Sequence, residues 1–181
     1  MSPNEISGHF DGAGMRLGVV AARFNDYMVE RLVTAALDAL RRHGVRNADV
    51  TLVRVPGALE IPVAARRLAA SGEVEAVVAL GCVIRGDTVH FDHVVADASR
   101  GVSLAALDTG VPITWGVIAA ENLEQAIDRA GGKAGNRGWD AAVAAVEMAS
   151  LLRRMPLAAP ATTPPATGTT APLARAAARK D

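Results

Sequence analysis

Apolar and polar positions alternate between two kinds of run along this chain. Arg16 to Ala22 (RLGVVAA) is nearly continuous in apolar residues, which predicts a strand buried on both faces. From Tyr27 to His43 the period changes. Met28, Leu32, Ala35, Ala36, Ala39 and Leu40 fall on one helical face, and Gly44 stands where a helix-terminating glycine belongs. The cycle then repeats. Val50 to Val55 is a β-branched strand, Pro56-Gly57 a turn, and Leu59 to Ala70 an alanine-rich helix. Glu75 to Cys82 reads as the third strand, Ile84 to His90 as a glycine-containing loop, and Phe91 to Leu107 as helix. Ile113 to Ile118 is a fourth strand, and Asn122 caps a short helix through Arg129. A glycine-rich turn over 130–138 leads to the last helix, Trp139 to Arg154.

Strands alternating with helices predict a parallel sheet covered on both faces. The expected fold is a flavodoxin-like three-layer α/β sandwich with four parallel strands. A short edge strand over Glu5 to Phe10 is expected before the Asp11-Gly12-Ala13-Gly14 turn. Residues 1–15 form an N-terminal segment and 16–155 one domain. Residues 156–181, rich in Pro, Ala and Thr, are expected to be a disordered tail. In folds of this kind ligands bind beyond the carboxyl ends of the strands. The stretches to inspect are therefore Arg23 to Tyr27, Pro56 to Glu60, Cys82 to His90 and the surroundings of Trp115.

Composition narrows the function. The 19 basic and 19 acidic residues balance, and no basic run is interleaved with aromatics, so nucleic acid is not an expected partner. No apolar stretch is long enough to span a bilayer, and Met1 to Phe10 lacks an apolar signal core, so no membrane association is expected. Cys82 is the single cysteine, which excludes an intrachain disulfide. Together these point to the cytoplasm. Aromatics make up only 3% of the chain, so one placed in a loop invites a functional question.

Several loop residues admit two readings. Phe24 is either a hydrophobic staple at a helix start, with Asn25 or Asp26 as cap, or a ring that stacks on a planar heterocycle. Gly57 and Ala58 leave backbone amides accessible. Glu60 is either a helix-end charge or an acceptor for polyol hydroxyls. Gly86, Thr88 and the following helix start make an anion site, with His90 as the natural proton carrier. His90 and His93 lack a clear third ligand, so no metal is expected. Cys82 has no obvious base partner and reads as a small buried thiol. Arg129, Lys133 and Arg137 stand among glycines, as solvated charges or as phosphate ligands.

Taken in order, RFN, VPGALEIP, ALGCVIRGDTVHFDHV, ITWGV and ENLEQAIDRAGGKAGNRGWDAAVAAVEM resemble the motifs of lumazine synthases, from about Arg16 to Leu152. The resemblance implies condensation of 5-amino-6-(D-ribitylamino)uracil with 3,4-dihydroxy-2-butanone 4-phosphate in riboflavin biosynthesis. No redox change occurs in that reaction, so no cofactor is expected. By the same resemblance Phe24 stacks on the uracil ring. Ala58, Leu59 and Glu60 hold the ribityl chain, and Cys82, Val83 and Ile84 make backbone contacts to the pyrimidine. Asp87 and Thr88 form the phosphate loop, with Arg129 its partnering cation and Lys133 nearby. His90 is the acid–base residue. Trp115 stands where the family commonly has Phe and is expected to wall the site from a neighbouring subunit. Arg137 replaces a common Lys. The family implies a homopentamer, in some members a shell of twelve pentamers, and the short turn from Gly131 to Gly138 leans toward the shell. Riboflavin synthase is a candidate partner of such a shell. The competing expectation is a non-catalytic lumazine- or flavin-binding or shell protein on the same scaffold. A receiver-type domain is disfavoured because the strand ends lack an acidic cluster. A dinucleotide oxidoreductase is disfavoured because no G-x-G-x-x-G follows the first strand.

Overall fold

The computed structural model describes residues 3–155. The expectation of a disordered tail over 156–181 lies outside them. Four parallel strands form one sheet in the order β2-β1-β3-β4. They are β1 (Leu17–Ala22), β2 (Val50–Val55), β3 (Ala76–Ile84) and β4 (Ile113–Ala120). The helices are α1 (Asp26–Arg42), α2 (Ile61–Ala69), α3 (His90–Thr109), α4 (Leu123–Arg129) and α5 (Arg137–Arg154). Between α4 and α5 the glycine-rich turn folds into a small antiparallel ribbon, β5 (Ala130–Gly132) with β6 (Gly135–Asn136). Short 3-10 turns over Asn47–Asp49 and Ala58–Glu60 lead into β2 and α2.

The burial pattern explains the layers. All six residues of β1 are buried, as the apolar run requires of a central strand. Leu17, Val19 and Ala21 of β1, with Ala76, Val78 and Leu80 of β3, face α1 and α5. Val20 and Ala22, with Val77 and Ala79, face α2 and α3. Strand alternation thus builds two cores from one sheet. Both mix Ala and Val with a few larger aliphatic residues and hold no fully buried aromatic, and α1 and α5 approach closely. Gly138 at the start of α5 is the extreme case: a Cβ there would collide with the Leu32 carbonyl of α1.

The predicted N-terminal edge strand is not formed. Residues 3–9 carry no regular secondary structure. The segment lies instead across α5, where the His9 amide donates to Ser150 Oγ at 3.0 Å and Arg154 donates to the Ser7 carbonyl. Phe10 meets His43 edge-on at 6.3 Å, and His43 meets Trp139 at 6.1 Å. A strand needs a partner edge, and the packing on α5 leads this segment away from the sheet. No described helix is long and apolar enough to cross a membrane.

Candidate functional site

The strand order reverses between β1 and β3, because β1 connects outward to β2 and β3 outward to β4. The loops beyond these two carboxyl ends therefore diverge and leave a crevice. A cavity of about 380 Å³ occupies it. Phe24, Gly57, Ala58, Leu59 and Glu60 form one side, Cys82, Val83 and Ile84 the floor, and Gly86, Thr88, His90, Phe91 and Val94 the other side.

The first wall is an extension of the β1–β2 ladder. The Arg23 amide donates to Val55 O at 2.8 Å and the Phe24 amide to Pro56 O at 3.0 Å. Asn25 then turns the chain into α1 in the left-handed region, at φ 57°, the one described non-glycine residue with positive φ. Its side chain does not cap α1. Phe24 is 71% exposed, so its ring is not packed as a staple and stands open to a ligand.

The second wall is set by Glu60. Its Oε2 accepts from the Gly57 amide at 2.8 Å and closes the 3-10 turn. Glu60 is therefore a turn-closing group here, with a second carboxylate oxygen for a ligand hydroxyl.

The floor follows from unequal strand lengths. β3 pairs with β1 only as far as Leu80 but with β4 as far as Ile84. Cys82, Val83 and Ile84 thus run past the end of β1 with one backbone side unpaired by it. The Cys82 carbonyl on that side accepts from the Asn25 side-chain amide at 2.9 Å. The remaining open-side groups need partners, which a planar heterocycle with amide-like edges could supply. The strand is longer than the predicted Glu75 to Cys82 because its last residues gain a β4 partner that no local pattern reveals. Burial pushes the Cys82 thiol up to about 11, which removes it as a nucleophile near neutral pH.

The third wall carries the polar chemistry. Thr88 Oγ1 accepts from the His90 amide at 3.4 Å, and His90 opens α3, exposed. The helix start supplies amides for an anion. Among the described residues no cluster of three or more His, Cys, Asp or Glu is arranged to hold a metal ion.

Nine sequence-predicted residues meet in this cavity: Phe24, Ala58, Leu59, Glu60, Cys82, Val83, Ile84, Thr88 and His90. Asp87, Trp115, Arg129 and Lys133 do not line it. Asp87 is exposed in the loop and Lys133 at the ribbon turn. Trp115 lies mid-way along edge strand β4, 37% exposed, on the same sheet face as Val117. Arg129 ends α4, half-buried. Gly86, read from the sequence with Thr88 as part of an anion site, lines the cavity too, whereas sequence reasoning missed Phe91 and Val94. Phe91 had a signal in a chain so poor in aromatics, and Val94 had one in standing a helical turn after His90.

A family-wide sequence profile described as 6,7-dimethyl-8-ribityllumazine synthase matches residues 14–153. The chain belongs to this family. A relative from Syntrophus aciditrophicus (strain SB), named 6,7-dimethyl-8-ribityllumazine synthase, is 51% identical over 153 residues. That alignment covers 84% of this chain and 99% of the relative. The matched region of this lumazine synthase family member contains every candidate residue of the cavity and both outlying cations, Arg129 and Lys133.

Proposed function

We infer that the chain is a transferase of riboflavin biosynthesis. It condenses 5-amino-6-(D-ribitylamino)uracil with 3,4-dihydroxy-2-butanone 4-phosphate to 6,7-dimethyl-8-ribityllumazine. The observation that carries this reading is one cavity uniting a stacking ring, an open strand floor, an anion cradle and an imidazole in a member of this family.

The proposed roles follow the walls. Phe24 stacks on the uracil, and backbone at Cys82, Val83 and Ile84 reads its edge. Ala58, Leu59 and Glu60 hold the ribityl chain. Asp87, Thr88 and the start of α3 receive the phosphate, with Arg129 and Lys133 as its cations. The 5-amino nitrogen attacks the ketone carbon, and water leaves to give an imine. Loss of the C3 proton gives an enamine whose electrons expel phosphate with its C–O bonding pair. The resulting enol becomes a ketone, and attack on it by the ribitylamino nitrogen closes the ring and expels a second water. His90 carries protons between these steps. Much of the rate gain comes from holding two reactive partners in register.

The positions of Trp115 and Arg129, away from their own chain's cavity, support a site completed by a neighbouring subunit. The proposed assembly is a homopentamer. The tight ribbon from Ala130 to Asn136 favours a shell of twelve, with riboflavin synthase as its candidate cargo. The cytoplasm is the proposed location, supported by a single, buried cysteine.

The test is direct. Purified protein is mixed with both substrates, and lumazine absorbance and fluorescence are followed. Product formation supports the reading. Tight lumazine binding without turnover replaces it with the carrier alternative.

A further inference from the structure

We propose that Arg85 is a positioning residue whose guanidinium pins both ends of the loop carrying Thr88 and His90, and so sets the sugar-phosphate half of the site. The proposal rests on the functional reading above, which assigns that half to the phosphate.

Arg85 is the first residue after β3, and its amide still donates to Ala120 O at 2.9 Å, the end of β4. Its side chain turns back across the loop. Two guanidinium nitrogens donate to the Asp92 carboxylate at 3.0 and 2.8 Å, in the first turn of α3. The third, Nε, donates to Glu121 at 2.6 Å, in the β4–α4 connection. The guanidinium carbon also lies 4.2 Å from the centre of the Phe91 ring, and Phe91 lines the cavity. One planar group thus joins the loop's entry, its exit and the neighbouring connection.

The loop has little else to hold it. No backbone hydrogen bond to another segment reaches Gly86, Asp87 or Thr88 among the described residues. Exposed ion pairs usually add little stability. This one differs in geometry, because a bidentate fork and a stacked ring fix direction as well as distance. The Arg85 hydrogen bonds hold the Asp92 carboxyl below the usual carboxylate range, although partial burial opposes them. The pair therefore remains ionised around neutral pH. Lysine would keep the charge but lose the fork and the stack.

Full-length wild type, Arg85→Lys and Arg85→Gln are compared by amide hydrogen exchange and by steady-state kinetics in both substrates. Arg85→Lys is expected to speed exchange over 86–90 and to raise KM for the sugar phosphate about tenfold, with KM for the pyrimidine changed by less than about twofold. Arg85→Gln is expected to do more of both. Asp92→Asn removes the bidentate arm and is expected to act in the same direction, which keeps the test alive if Arg85→Gln fails to fold. Unchanged exchange over 86–90 overturns the clamp, whether or not the protein turns over. Equal rises in both KM values also overturn it, since that is the mark of general loosening. A wild type that makes no lumazine defeats the functional reading instead, and the clamp then stands or falls on exchange alone.

Discussion

Asn25 donates its side-chain amide to the carbonyl oxygen of Cys82 at 2.9 Å. This bond ties the loop that presents Phe24 to the cavity floor. It joins residues 57 apart in sequence and closes the open side of β3 at the point where β1 stops. The left-handed φ of Asn25 aims the amide there. Asparagine tolerates that conformation and alanine does not.

The substitution order at this position should therefore be inverted from the usual one. Both Asn25→Ala and Asn25→Gly lose the bond to Cys82, but only Ala adds backbone strain of about 1 kcal/mol. Thermal or denaturant unfolding should rank the glycine variant above the alanine variant. The reverse order would show that φ at this turn relaxes freely.

For His90→Ala, turnover should fall about a hundredfold to ten-thousandfold, with little change in the apparent affinity for the pyrimidine. Single-turnover measurements on the two proteins isolate the chemical step. Full turnover under conditions where chemistry limits the rate would remove His90 as the proton carrier.

Arg129→Ala should chiefly raise KM for the sugar phosphate. If the site is shared between subunits, the two impaired variants should also complement each other when assayed at sugar-phosphate concentrations well below the raised KM. Mixed oligomers reassembled from Arg129→Ala and His90→Ala chains should recover activity, because some sites then receive both native groups. Mixtures no more active than their parents would place both side chains in one chain's site.

Glu75 ties the start of β1 to the end of α5. It accepts from Arg153 through both oxygens, 2.6 Å for one, and from the Arg16 amide at 3.3 Å. Partial burial pushes its carboxyl up, but these hydrogen bonds and charges outweigh it, and the net shift is downward from 4.5. The folded state then binds the proton more weakly than the unfolded one. The resulting stability is fully present above about 4.5 and is lost as pH falls through the lower, folded value. Glu75→Gln should accordingly melt below wild type at pH 7, and the gap should narrow on acidification toward pH 3. A gap independent of pH would assign the loss to packing.

Much of the scaffold was readable from local pattern. The span Val50–Val55 matches its prediction residue for residue, and β1 and α1 differ only at their ends, because β-branched runs and helical stripes are properties of a few neighbouring residues. The cavity was readable in its loops for a similar reason, since the strand-end rule says where to search. What escaped depends on distant partners. β3 continues to Ile84 because β4 lies beside it, and residues 3–9 form no strand because they settle on α5. Arg85 escaped because its charge looks like any solvated cation until Asp92, Glu121 and Phe91 are seen around it. The position of Trp115 away from its own chain's cavity agrees with what the family resemblance implied, and no reading of strand ends would have given it.

The chain contains two tryptophans, and they occupy opposite circumstances. Trp139 is half-buried and edge-on to His43, which also meets Phe10, while Trp115 faces outward from an edge strand. Intrinsic emission therefore carries two separable reports. A blue shift that grows with protein concentration tracks the covering of Trp115, and a Trp139→Phe variant isolates it. A red shift at constant concentration tracks loosening of the Phe10–His43–Trp139 contacts. The proposed subunit association and the docking of Phe10 can thus be followed in one cuvette without any attached dye.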